Sequence, residues 1–167
     1  MHLLIVGKKT VKKLLLILIA AALAAAGVAA SAATATNTFP VTINMSSACE
    51  VVTVPTIAFT YTSFQAAAAT ASSTFTVRCT NTKTITSVRL DDGAGGIATG
   101  LTQAYTDLAT GLGYSLTLAG VPTAGTGTAQ TINISGSMAG GQSGTCATAT
   151  CDNTASTNRV RTITVTY

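Results

Sequence analysis

Apolar residues recur at every second position in one stretch after another of this 167-residue chain. Phe39, Val41, Ile43 and Met45 share one phase. So do Phe75, Val77 and Cys79, then Tyr114, Leu116 and Leu118, then Ile132 and Ile134 with Met138, and finally Ile163, Val165 and Tyr167. A period of two puts such residues on one face of a pleated strand. Threonine, serine and asparagine fill most of the alternate positions, and threonine suits a half-solvated strand. No window beyond the N-terminal apolar run carries a helical period. The fold class expected is all-β: about seven short strands separated by turn signals, packed as a Greek-key sandwich.

Along the chain, strands are expected over residues 38–46, 50–54, 56–62, 73–80, 84–90, 114–118, 131–138 and 159–167. Pro55 splits the second from the third. Residues 65–73, QAAAATASS, read as an exposed connector, and DDGAGG at 91–96 as a turn. Residues 101–113 fit either a loop or one helical turn. The polar run 139–158 reads as a long connection. Val160 is out of phase with Ile163, Val165 and Tyr167, so a bulge is expected near Arg161.

The front of the chain reads as an address. Lys8, Lys9, Lys12 and Lys13 form a basic region, Leu14 to Ala26 an apolar run, and Ala30-Ser31-Ala32 a small-residue cleavage site. That order is a secretory signal peptide spanning 1–32; the rival reading is an uncleaved membrane anchor, since the run is close to the length of a membrane span. Cleavage removes 32 of 167 residues and leaves 135, enough for one domain with one core. It also removes four lysines from a formal charge of +4. What remains is Arg78, Lys83, Arg89, Arg159 and Arg161 against Glu50, Asp91, Asp92, Asp107 and Asp152, which balance. A neutral product gives no electrostatic reason to bind nucleic acid.

Cys49, Cys79, Cys146 and Cys151 all follow the cleavage site. An even number in an exported chain reads as disulfides, with three pairings open. Cys49 with Cys79 and Cys146 with Cys151 is preferred, because the latter two are near neighbours in TCATATC. A metal site is the other reading, without a histidine to assist it and without paired C-x-x-C spacing.

Catalytic chemistry has little to stand on. The one histidine, His2, leaves with the signal, so no Ser-His or Cys-His pair remains. Lys83 lies in a polar turn, Asp91 and Asp92 lack a calcium-loop frame, and GAGG lacks the Lys-Ser/Thr of a phosphate loop. Asn44-Met45-Ser46 and Asn133-Ile134-Ser135 match a glycosylation pattern inside expected strands. No enzyme activity, cofactor or metal is expected. A carbohydrate-binding sandwich would want exposed aromatics, and Tyr61, Tyr105, Tyr114 and Tyr167 are few.

Strand edges are what remain. The last strand offers an edge on which Ile163, Val165 and Tyr167 carry none of the protection that normally blunts one. At the other end, the alternating segment before Cys49 either pairs within its own sheet or completes the edge of a neighbour. Repeated head to tail, the second arrangement builds a fibre.

INMSSAC, FTVRCT, VRLDDGAGG, GYSLTL, INISGSM and the final ITVTY, in that order, resemble the spore coat protein U family, which includes pilins of archaic (Csu-type) chaperone–usher pili. The resemblance covers the whole exported chain. It implies an incomplete immunoglobulin-like sandwich of six to seven strands over 47–167, completed by a donor strand. Residues 33–46 would be the donor segment, with Phe39, Val41, Ile43 and Met45 as its knobs. Ile163, Val165 and Tyr167 would line the acceptor groove and meet a periplasmic chaperone, whose basic residues would hold the terminal carboxylate. An outer-membrane usher would then exchange the chaperone for the next subunit, placing the product in a fimbrium on the cell surface. Cys49–Cys79 would staple the first two core strands. Cys146 and Cys151 stand outside the family pattern, and Pro40 limits the dependable donor to about Val41 to Met45. The alternative is a non-fimbrial secreted coat or surface protein of the same family whose N-terminal strand pairs with its own domain.

Overall fold

A computed structural model of the chain describes residues 34–167. The expected signal peptide lies outside the described residues. The chain divides into two compact units, Met1–Ile43 and Asn44–Tyr167. In the first, residues 34–43 carry no helix or strand.

The second unit is all-β. Its seven strands are β1 (Cys49–Thr53), β2 (Ala69–Cys79), β3 (Ser87–Leu90), β4 (Thr102–Thr106), β5 (Gly113–Ala119), β6 (Ala129–Met138) and β7 (Ile163–Thr166). They form a five-stranded sheet in the order β1-β2-β6-β5-β4 and a two-stranded sheet of β3 and β7. Every pairing is antiparallel.

The two-residue period decides which way each side chain faces. Phe75, Val77 and Cys79 of β2, Ile132 and Ile134 of β6, Leu116 and Leu118 of β5 and Tyr105 of β4 are buried together with Val88 and Leu90 of β3. Each large side chain so buried contributes about 1.5–3 kcal/mol from removed apolar surface. The outward residues of the large sheet are mostly hydroxyls set side by side across the strands. Thr102 faces Thr117, Thr117 faces Ser135, and Ser135 faces Ser72. The Thr102 and Thr117 hydroxyls hydrogen-bond at 2.9 Å, and those of Thr53 and Thr76 at 3.1 Å.

Both expected disulfides are present. Cys49 and Cys79 stand directly opposite in the β1–β2 ladder and are bonded; Cys146 is bonded to Cys151.

Several local expectations differ from the structure. Residues 65–73 are not all connector, since β2 begins at Ala69: its small inward residues Ala69 and Ala71 lie opposite Met138 and Gly136, so an alanine run fits the sheet. Within 101–113 lies strand β4, its period hidden because Tyr105 is the only large apolar residue in it. β3 starts at Ser87 rather than Thr84, which makes only an isolated bridge to Ala124. The bulge falls in β1, between Val51 and Thr53, and not near Arg161. There, Thr157–Arg159 forms a 3-10 turn and Asp91 takes over the pairing: its amide donates to Thr162 O at 2.9 Å and its carboxylate accepts from Thr162 N at 2.7 Å. Residues 38–46 and 56–62 carry no strand, because a strand needs a neighbouring backbone and neither stretch belongs to a sheet.

Candidate functional site

β7 pairs with β3 along one side, Val165 opposite Val88 and Ile163 opposite Leu90. Among the described residues, no strand pairs with its other side. That side leaves amides and carbonyls unpaired in the smaller sheet, while β1 ends the larger one. A groove of about 670 Å³ opens between these two edges. Val51 of β1 and Ile163 of β7 form its walls, and Leu90, Leu116, Ile134 and Met138 line its apolar depth. A groove of this kind combines a row of main-chain hydrogen-bonding groups with pockets at alternate positions, which is what an added strand reads.

Residues 55–62 run along this groove. Ile57, Phe59 and Tyr61 are half-buried while Thr56, Ala58, Thr60 and Thr62 are exposed. The alternation is that of a strand, yet side chains anchor the segment in place of a ladder. Phe59 lies against Tyr114, ring centres 5.9 Å apart, and occupies the space that a Cβ on Gly136 would need. The Tyr61 hydroxyl accepts a hydrogen bond from Gln142 N at 2.8 Å.

One end of the groove is polar, lined by Asp107, Asp152, Asn153, Arg159 and Arg161. Asp107 is 5% exposed and fully engaged. It accepts from Thr110 N and Thr110 Oγ1 at 2.8 Å each and from Asn153 Nδ2 at 2.8 Å. Burial alone would raise its pKa, but these donors outweigh burial and hold it below the ordinary carboxylate value. Arg161 donates through Nε to the Tyr114 hydroxyl at 2.9 Å and through Nη1 to Asp91 at 3.4 Å. Partial burial works against its charge, and these partners more than restore it. Burial, with the Asp91 carboxylate nearby, pushes the Tyr105 phenol well above its usual range. Its hydroxyl donates to Asp91 O at 2.7 Å. Thr110 and Asn153 satisfy Asp107, while Arg161, Tyr114, Tyr105 and Asp91 bond to one another, so both groups brace the wall. Among the described residues, no cluster of three or more His, Cys, Asp or Glu could hold a metal.

Of the residues singled out from the sequence, Ile163 lines the groove, and Val165 packs against the core from the same strand. Tyr167 is 47% exposed, its ring 5.5 Å from Lys83 Nζ. Phe39, Val41, Ile43 and Met45 are all exposed, between 72% and 83%. The lining residues Ile57, Phe59 and Tyr61 were legible as an alternating run, but not as a wall of the groove. Pro55 just ahead of them, which breaks a ladder, was the available signal. No helix among the described residues is long and apolar enough to cross a membrane.

No curated protein and no solved structure matches the chain. Residues 35–157 match the Spore Coat Protein U domain, a stretch that takes in Phe39 to Met45 and six of the seven strands. The chain belongs to the Spore Coat Protein U domain family.

Proposed function

We propose that the chain is a structural subunit of a surface pilus, assembled by donor-strand exchange through a chaperone–usher pathway. The observation that carries this reading is the unpaired side of β7 beside an apolar groove, in a protein that also holds four exposed apolar residues at alternate positions upstream of β1. A donor strand in the groove would run between β7 and residues 55–62. It would satisfy main-chain groups on both sides while Val41, Ile43 and Met45 fill pockets between Val51, Ile57 and Ile163.

On this reading residues 1–32 are a cleaved signal, 33–46 the donor segment and 47–167 the acceptor domain. A periplasmic chaperone occupies the groove first, contacting Ile163, Val165 and Tyr167; an outer-membrane usher then passes the subunit to its neighbours. The role is mechanical rather than catalytic and needs no cofactor. The family match supports it by including residues 35–46 within the domain.

Deleting residues 33–44 tests the proposal. The deleted chain is expected to be captured one-to-one by its chaperone and to cap fibre growth, because it accepts a strand and donates none. A deleted chain that loses its own folded state overturns the proposal in favour of a coat protein with a self-paired N-terminal strand.

A further inference from the structure

Phe64 holds a backbone that large side chains avoid. Its φ is +65°, in the left-handed region, and its ring is 74% exposed. A bulky aromatic there is an outlier, and such strain persists only where the surroundings over-determine it. Here they do. Phe64 N donates to Gln142 O at 2.8 Å and Gln65 N to Thr62 O at 3.0 Å. Gln142 is itself locked: its side chain donates to Gly113 O at 2.9 Å and accepts from Gly113 N at 2.6 Å. Close by, the Ala66 carbonyl occupies the place of a Cβ on Gly140. A rigid turn therefore displays an apolar ring where glycine or asparagine would be unstrained.

The turn lies at one end of the sandwich, where Ala69 pairs with Met138. The β4–β5 connection, with Leu108 at 76% exposure, is at this end too. The chain enters β1 at the opposite end, where Thr80 N donates to Ala48 O at 2.9 Å. The loops that follow Cys79 and Ala119 are also there, joined by the Thr84–Ala124 bridge.

Given the donor-strand reading, on which this inference rests, these placements fix which ends meet. Only Ser46, Ser47 and Ala48 separate Met45 from Cys49, so the two α-carbons are no more than about 14 Å apart. The donating domain must then abut the end of the groove where the donor strand emerges. If that were the Cys79 end, two like ends would face each other and cover the point from which the acceptor's own donor segment departs. Growth would stop. A fibre that continues sets the Cys79 end of one copy against the Phe64 end of the next.

We infer that the Phe64 turn, with Leu108 at the same end of the sandwich, is the seat on which the donating copy of this chain rests its Cys79 end. The ring is an aromatic anchor held in advance, so little freedom is lost when the partner covers it. The seat is separate from the groove and sets the angle between successive subunits.

The test uses full-length chain assembled by its own chaperone and usher, with p-benzoylphenylalanine in place of Phe64. Irradiated fibres are expected to yield dimers whose cross-link maps to residues 80–86 or 120–128 of the adjacent copy. A detergent-resistant ladder of multimers reports donor-strand exchange independently. A ladder with the cross-link elsewhere, or with none, overturns this inference and leaves the donor-strand reading standing; absence of the ladder overturns both. Phe64→Gly, which relieves the strain and removes the ring, is expected to keep the ladder but lose the fixed angle between subunits in electron micrographs. An unchanged angle also overturns the inference.

Discussion

Arg161 lies with its guanidinium carbon 4.1 Å from the centre of the Tyr105 ring, just ahead of β7. The same side chain reaches Tyr114 and Asp91, so β4, β5 and the end of β3 all hold the approach to a strand that is paired on only one side. A singly paired edge strand would otherwise fray, and its groove with it.

Arg161→Ala leaves the Asp91 carboxylate, with 15% of its side chain exposed, facing an emptied cation site. Removing one partner of a largely buried pair costs about 3 kcal/mol. A loss of unfolding free energy of that size, read as a lower urea midpoint at unchanged slope, is expected, with Arg161→Lys recovering part of it. A midpoint within experimental scatter of the parent would show that β7 is held by its ladder alone.

The two disulfides should differ in worth and in access. Cys49–Cys79 closes a separation of 30 residues and Cys79 is 1% exposed, whereas Cys146–Cys151 spans 5. On the chain-entropy account the first contributes about 3–4 kcal/mol and the second about 2. Both cysteines of the short loop are exposed, so mild reductant is expected to open that loop first, read by mass after alkylation. Simultaneous loss of both would contradict the burial difference.

Asp107 predicts an acid limb. Its folded pKa lies below the ordinary aspartate value of 3.8, so its stabilisation is complete above that value and is lost as pH falls through the folded pKa. Thermal scans from neutral to strongly acid pH should therefore show a steeper decline below pH 3.8 for the parent than for Asp107→Asn. Parallel curves for the two proteins would remove Asp107 from the account.

A peptide of residues 33–46 is expected to displace the chaperone slowly from the captured subunit and to raise its melting temperature. Val41→Asp or Ile43→Asp in the peptide should abolish the effect, since burying an unpaired carboxylate outweighs the main-chain bonds gained. Equal activity of the substituted peptides would mean that side chains do not enter the groove.

Much of the fold was legible because strand period is a local signal. Phe75 and Val77, Leu116 and Leu118, and Ile132 and Ile134 all occupy the core that their spacing implied. Period says nothing about which backbone lies alongside. Residues 56–62 keep a strand's alternation without a strand's neighbours, and residues 65–73 looked like a loop because alanine and serine carry no amphipathic contrast. Asp91 read as an ordinary turn residue, although its carboxylate stands in for a strand carbonyl at Thr162. That substitution depends on residues 71 positions apart in the chain, beyond the reach of any local pattern. Phe64 was hidden for a related reason: a positive φ shows in sequence only when glycine or asparagine occupies it.

The outward face of the large sheet has a consequence for any surface built from this domain. Thr70, Ser72, Ser115, Thr117, Ser135 and Ser137 present neutral hydroxyls there, which neither titrate near neutrality nor attract counterions. Wetting of that face should stay constant across changes in acidity and salinity that would collapse or swell a coat of lysines and glutamates.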